Sequence, residues 1–391
     1  MAEEKQYQRL LKIDIKMKRS AFIFGPRGTG KTSWIKSHLT DILYIDLLQM
    51  DNYNELLANP SKIANRIPKG FKNFIVIDEV QKIPELLNEV HRLIENDGFR
   101  FILTGSSARS LRRKGVNLLA GRALNYMMHP LTCIELGDDF SVEFALKNGL
   151  LPSVYVYPNP EHYLETYISS YLREEVLQEG LARNLADFAR FLESASFSQG
   201  SIVNYSEIAR EAAIDRKDVA SYFNIIDDLL IGFRLPVFTK RAKRRLVAHP
   251  KLYLFDPGVY RSIRPKGPLD LPEEIDGPVL ETLFIAHLRA FNDYYRLGYQ
   301  FFYWRTSNDV EVDFIAYGER GLIAFEIKRK RSISSSDLRG LKAFKSDYDV
   351  AKLYLIYGGD HEEYHGDITA IPFEKALFRL LEILTINKNN K

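Results

Sequence analysis

Cysteine is all but missing from this sequence: Cys133 is the only one in 391 residues. A single thiol closes no internal disulfide and builds no cysteine-ligated zinc module, so disulfide-stapled and zinc-ribbon classes are excluded. No apolar run approaches the roughly 20 residues that cross a bilayer as a helix. Internal repeats and low-complexity tracts are absent as well. The first twenty residues, MAEEKQYQRLLKIDIKMKRS, hold no apolar core of signal-peptide length. These absences predict a cytoplasmic protein with no membrane partner. A surplus of one charge sign is lacking too, since 54 basic and 51 acidic side chains leave +3. That balance names no partner, and what matters is where the basic residues cluster.

What is present is the composition of a soluble globular chain, 46% hydrophobic and 27% charged. The length exceeds one ordinary core, so two or three domains are expected. The first part alternates short apolar runs with helical segments, the pattern of a parallel α/β sheet. Strands are predicted at Ala21–Phe24, Ile42–Leu47, Asn73–Ile77, Arg100–Leu103 and Leu124–Met128. After about residue 140 the texture turns helical and tyrosine-rich, with Tyr163, Tyr167 and Tyr171. A helix from Ser206 to Ala212 with Ser206 as its N-cap, a turn, and a helix from Arg216 to Leu230 follow. Next comes a hairpin of Phe233–Phe238 and Lys251–Phe255, which completes a winged-helix layout. The stretch from Arg264 to Pro278 reads as a Pro- and Gly-rich linker. Beyond it a helix at Val279–Asn292 precedes strands at Gln300–Arg305, Glu311–Tyr317, Gly321–Lys328 and Ala351–Tyr357.

Gly25-Pro26-Arg27-Gly28-Thr29-Gly30-Lys31-Thr32, continued by Ser33, matches the phosphate-binding loop between a strand and a helix. Its glycines let backbone N–H groups wrap phosphates, aided by the helix N-terminus. Lys31 supplies a point charge to the β and γ phosphates, and the Thr32 hydroxyl ligates Mg²⁺. The strand Phe74–Ile77 runs into Asp78 and Glu79, which suit a Mg²⁺ carboxylate and a residue that polarises the attacking water. Acidic residues at strand ends also cap helices. Thr104, then Ser106, are candidate sensors of the γ-phosphate, set against an ordinary strand-to-loop turn. Arg122 and Arg109 are candidate arginine fingers, in cis or across a subunit interface, set against solvated surface arginines. No guanine-reading Asn-Lys-x-Asp motif appears, which favours ATP over GTP.

Two further clusters carry chemistry. Glu311 and Asp313 share one face of a predicted strand, as do Glu326 and Lys328 on the next. Asp313, Glu326 and Lys328, with Glu281 from the preceding helix, suit Mg²⁺-dependent phosphodiester hydrolysis, and cross-strand salt bridges give the same pattern. The run Lys240-Arg241-Ala242-Lys243-Arg244-Arg245 falls at the predicted wing tip and suits nucleic-acid phosphates or a merely solvated loop. Asp218, Asp227 and Asp228 on the preceding helix work against phosphate contact.

In this order the segments resemble a prokaryotic family of AAA-type P-loop ATPases fused to a C-terminal domain of unknown function with a PD-(D/E)XK nuclease-like core. The resemblance is carried by Gly25–Thr32, Phe74–Pro84, Leu103–Ser107, Leu119–Arg122, His129–Leu131, Pro250–Asp256, Tyr303–Arg305, Glu311–Phe314 and Phe325–Lys328. It implies an α/β chain with an additional-strand ATPase domain over 1–140, a helical winged-helix domain over 141–265 and a nuclease-like α/β domain over 266–391. It also implies ATP and Mg²⁺ as cofactors, DNA as a partner, and Asp313, Glu326 and Lys328 as the nuclease-type site. The alternatives are a regulatory switch whose inert nuclease-like domain binds a protein partner, and a DNA-binding protein without cleavage; a second copy of the chain is a further candidate partner.

Overall fold

The computed structural model describes residues 5–14, 19–106, 111, 119–171, 176, 184–240, 249–268 and 270–385. Ser107, Arg109 and residues 241–245 of the basic run lie outside them. The N-terminal sheet is built from β1 (Ser20–Phe24), β2 (Leu43–Asp46), β3 (Phe74–Asp78), β4 (Arg100–Gly105) and β5 (Ala123–Met127). Its spatial order is β2-β3-β4-β1-β5, and every pairing is parallel. All residues of β1 and β3 are buried because helices cover both faces. Alternation along β1 sends Phe22 and Phe24 to one core and Ala21 and Ile23 to the other. β4 stands between β1 and β3, so the acidic strand reaches the phosphate loop across an intervening strand.

The middle region packs helices Leu185–Ser196, Tyr205–Glu211 and Arg216–Asp228 around Phe191, Val219 and Phe223. The cap of the second helix differs from expectation. Asn204, not Ser206, is the N-cap, and its side chain accepts from Ser206 N and Glu207 N. From Tyr222 onward the third helix has no exposed residue, so that part cannot lie in a nucleic-acid groove. Asp227 is tied to Arg234.

The hairpin consists of β6 (Gly232–Leu235) antiparallel to β7 (Lys251–Leu254). The segment that follows β6 is held against the C-terminal domain. Val237 bridges Tyr303, Phe238 N donates to Tyr303 O at 2.7 Å, and Tyr303 N donates to Pro236 O at 3.0 Å. Phe238 is 1% exposed, packed among Phe302, Phe344 and Tyr348 of the C-terminal domain. Lys240 lies over the Tyr317 ring.

The C-terminal sheet holds β8 (Gln300–Arg305), β9 (Glu311–Gly318), β10 (Gly321–Lys328), β11 (Lys352–Tyr357), β12 (Glu363–His365) and β13 (Ile368–Pro372), in the order β12-β13-β11-β10-β9-β8. β8 is thus an edge, and the Pro236–Phe238 segment covers it. The expected linker is partly helix: one helix runs Pro272–Tyr294 with Pro278 inside it. Burial overrides the proline there, because Ile275 and Val279 sit in the middle core while Leu283, Phe284, Leu288 and Phe291 sit in the C-terminal one. β12, β13 and the closing helices Phe373–Phe378 and Leu380–Thr385 are additions to the predicted layout.

Phe238→Ala is expected to lower stability by about 3–5 kcal/mol, the usual cost of emptying a fully buried aromatic site. Chemical denaturation checks the size, and faster proteolysis between β6 and β7 checks that the hairpin has lost its anchor.

Candidate functional site

The phosphate loop leaves the C-terminal end of β1 and turns into the helix Lys31–His38. Gly25 must be glycine because a Cβ there would meet Met128 O at 2.3 Å. Gly28 and Gly30 hold φ of 77° and 91°, which an L side chain rarely adopts. Lys31 Nζ donates to Gly25 O at 2.7 Å and Pro26 O at 3.0 Å, so its charge is held inside the loop. Thr29 Oγ1 donates to Pro26 O at 2.8 Å. Arg27 and Ser33 are exposed and Pro26 is buried.

Asp78 gathers the groups expected around it. Thr32 Oγ1 donates to its Oδ2 at 2.8 Å, Tyr44 OH donates to the same oxygen, and Thr104 Oγ1 donates to Oδ1. Burial, then the Asp78 hydrogen bond and charge, pushes the Tyr44 hydroxyl up from its ordinary value. Glu79 stands at φ 60°, a strained setting for a side-chain-bearing residue. Two contacts hold it: Glu79 N donates to Thr104 Oγ1 at 3.0 Å, and Gln81 Nε2 donates to its carboxylate. Ser106 is buried one residue beyond β4, and its Oγ has no hydrogen-bond partner. Thr32 Oγ1 and the Asp78 carboxylate are hard oxygen donors side by side, which fits Mg²⁺ carried by a nucleotide.

Arg122 does not join this set. β5 runs parallel to β1 with Ala123 beside Ser20 and Met127 beside Phe24. Arg122 therefore stands at the opposite edge of the sheet from the loop, on the order of 16 Å away. Its guanidinium pairs with Glu95. The expectation of an arginine finger reaching its own site is corrected by strand direction.

Three features near the loop lie beyond the motif. Arg9, buried before β1, donates to Thr29 O, to His129 O at 2.6 Å, to Glu135 Oε1 at 2.9 Å and to Tyr294 OH at 3.0 Å. Tyr294 belongs to the long helix, and Asp293 beside it lies 2.6 Å from His129 Nε2. Tyr167 OH donates to Arg27 O at 3.0 Å, and the Tyr167 ring edge and the Tyr163 hydroxyl lie beside Gly28. Tyr167 opens a π-helical turn after the helix Pro160–Thr166. Finally, a cavity of about 190 Å³ opens beside the loop, lined by Arg9, Gly30, Ser33, Trp34, Pro152 and Tyr157.

The second cluster lies on β9 and β10. Their pairing runs to Phe325 opposite Phe314, so the next step sets Glu326 beside Asp313. Asp313 Oδ2 accepts from Ile327 N at 2.7 Å, and Lys328 Nζ donates to Glu326 Oε1 at 2.6 Å. Glu326 Oε2 is buried and has no hydrogen-bond partner. The middle region adds Lys251, paired with Glu311, and Tyr253, whose OH donates to Glu281 Oε2 at 2.6 Å. Arg305 Nη1 donates to Glu311 Oε2 at 3.2 Å.

Burial, reinforced by Asp313, raises the Glu281 carboxyl to about 7 and pushes Glu326 well above the usual range. Burial would lower the Lys251 ammonium, but Glu281, Glu311 and Asp313 outweigh it and hold it above its ordinary value. Among the described residues no three Asp, Glu, His or Cys side chains are grouped to hold a metal ion. The Mg²⁺ set expected from Asp313, Glu326 and Glu281 is therefore not assembled as folded: Glu281 is turned to Tyr253, and Lys328 is paired with Glu326.

Lys251 and Tyr253 escape a sequence reading because they reach the cluster from another domain. The Lys-x-Tyr spacing that puts both on one strand face is the signal that was there to find. Thr104→Val keeps the shape and removes the hydroxyl that joins Asp78 to the Glu79 backbone. It is expected to lower kcat for nucleotide hydrolysis by about 10²-fold with little change in nucleotide affinity, as steady-state turnover beside a binding titration will read.

Comparisons with known proteins bear on the N-terminal region as a whole. Residues 17–137 match the model of an AAA domain. Residues 140–270 and 276–376 match two domains of unknown function, DUF8612 and DUF4143. An uncharacterized protein of Mycobacterium tuberculosis is 27% identical over 324 residues, which cover 79% of this chain and 70% of that one. An uncharacterized protein of Methanocaldococcus jannaschii is 26% identical over 352 residues, covering 78% and 74%. A solved Vibrio cholerae protein aligns over 93% of this chain and 97% of its own at 10% identity, with a TM-score of 0.22. The N-terminal region, a parallel α/β sheet with a P-loop, is thus similar to an AAA domain, and the two regions after it are similar to domains of unknown function.

Proposed function

We propose that the chain is an ATP-hydrolysing switch that acts on DNA, in which nucleotide state controls the C-terminal carboxylate–lysine cluster. The observation that carries the hydrolytic part is the bonded set Thr32–Asp78–Thr104 at the mouth of the loop. Thr32 and Asp78 would hold the Mg²⁺ of the nucleotide, which neutralises phosphate charge when bound. Lys31 meets the β and γ phosphates, Glu79 orients the attacking water, and Thr104 fixes both acidic residues. The cavity beside Gly30 and Ser33 is where the nucleoside would lie.

Control is supported by two contacts on the loop itself. Tyr167 reaches Arg27 O from the middle region, and Arg9 joins Thr29 O to Tyr294 of the long helix. The same helix bears Glu281. A phosphate that reshapes the loop changes the partners of both. Arg122 serves catalysis only across an interface with a second copy. DNA as the object of the switch rests on the basic run from Lys240 and on the carboxylate–lysine chemistry.

A second reading, an ATPase whose C-terminal domain is catalytically inert and binds a protein partner, is favoured by the Lys251 and Tyr253 contacts that fill the cluster.

Lys31→Ala is expected to abolish nucleotide binding and turnover; retained turnover would refute the central claim. Tyr294→Phe leaves Arg9 and His129 N short of a buried partner, at a cost of about 1–3 kcal/mol. It should keep ATP binding yet lose the ATP-dependent change in hydrogen exchange over β9 and β10. The same preparations, incubated with plasmid and single-stranded DNA plus Mg²⁺ or Mn²⁺, separate the readings. ATP-dependent cleavage lost in Asp313→Ala supports action on DNA, and no cleavage by ATP-hydrolysing protein supports the inert-domain reading.

A further inference from the structure

Three tyrosines of the middle region form a row that ends on the phosphate loop. The ring centroids of Tyr157 and Tyr163 are 5.3 Å apart, and those of Tyr163 and Tyr167 are 6.2 Å apart. At one end Tyr167 OH donates to Arg27 O at 3.0 Å, and the Tyr163 hydroxyl lies beside Gly28. At the other end Tyr157 lines the cavity of about 190 Å³ beside Gly30 and Ser33.

That cavity lies where two domains meet. It is bordered by Ser33 and His38 of the helix after the loop, and by Pro152, Val156 and Tyr157 of the middle region. Pro152 comes close enough that a Cβ on Gly30 would meet its Cγ at 4.0 Å. Val156 is 38% exposed and Tyr157 is 57% exposed. A neighbouring pair of an aliphatic and an aromatic side chain, left open at a cavity rim, is the kind of surface that a flat ring covers.

Size and polarity narrow the occupant. Pockets that enclose a drug-sized molecule run roughly 300–1,000 Å³, so this one suits a single ring system rather than a whole nucleotide. Several polar groups on its walls are already bonded within the protein. Ser37 Oγ donates to Ser33 O at 2.9 Å, His38 Nδ1 lies 3.0 Å from Trp34 O, and Tyr7 OH donates to Asp139 Oδ2 at 2.9 Å. Arg9 is taken up by Thr29, His129, Glu135 and Tyr294. The cavity therefore offers a ligand chiefly aromatic and aliphatic surface, which recognises a base by its face.

We propose that Tyr157 is the stacking seat of the nucleotide's purine ring, so that one nucleotide is held by two domains, its phosphates on the loop and its base on the middle region. Tyr157 has this role only if the loop binds a nucleotide, as proposed above. The row of rings then meets both ends of the ligand, with Tyr167 at the phosphate loop and Tyr157 at the base. Phosphates without a base reach only the loop end of the row.

The experiment compares ATP with inorganic tripolyphosphate, each titrated calorimetrically with Mg²⁺ into the full chain. The two ligands share the phosphates and differ by the nucleoside. Tyr157→Ala is expected to bind ATP roughly tenfold or more weakly, the scale of a lost base–aromatic stack, with tripolyphosphate affinity unchanged. Tyr157→Trp, which keeps an aromatic face, should bind ATP within about threefold of wild type. Unchanged ATP affinity in Tyr157→Ala, or an equal loss for both ligands, would overturn the assignment and leave the loop's nucleotide reading standing. Wild-type protein that binds neither ligand would overturn both.

Discussion

A guanidinium removed from water must set its N–H groups on protein acceptors, since a buried unpaired charge costs several kcal/mol. Arg9 meets that demand with acceptors from stretches far apart in the chain: Thr29 in the phosphate loop, His129 after β5, Glu135 and Tyr294. Glu135 closes the arrangement from its side, accepting from Leu10 N and Thr132 N as well as from Arg9. The loop, the end of the parallel sheet and the long helix therefore share one electrostatic anchor. Moving any one of them leaves charged or polar groups short of partners on the other two.

Such anchors explain what a linear reading sees and misses. The phosphate loop, Asp78, Glu79 and Thr104 are legible because their chemistry is written in contiguous residues, and parallel strands bring contiguous motifs to one edge. Asp313, Glu326 and Lys328 are legible for a similar reason, since period-two spacing on neighbouring strands sets them together. Arg9 and Tyr167 are not, because the contacts that give them meaning span 20 and 140 residues. Arg122 misleads because it stands at the start of β5, and a strand parallel to β1 carries its first residues to the edge away from the loop. The stretch Pro272–Pro278 misleads because proline argues against helix until two cores claim its neighbours.

The hairpin shows how much a motif depends on its surroundings. A helix-turn-helix followed by two strands suggests a wing extended toward nucleic acid. Here the chain after β6 is hydrogen-bonded to Tyr303 and buries Phe238 in the C-terminal core. The middle region is consequently a brace between the nucleotide loop, touched by Tyr167, and the carboxylate cluster, touched by Lys251.

The helix Pro272–Tyr294 places Glu281 and Tyr294 on one stiff rod, thirteen residues or about 20 Å apart. A rod of hydrogen-bonded turns resists stretching far more than it resists tilting. A tilt of about 5° at the Arg9 end carries the carboxylate end through about 2 Å at that length. Such a displacement is comparable to the difference between a made and a broken hydrogen bond. The fold therefore has mechanical gain built into it: a change too small to unsettle packing at one end is large enough to alter bonding at the other.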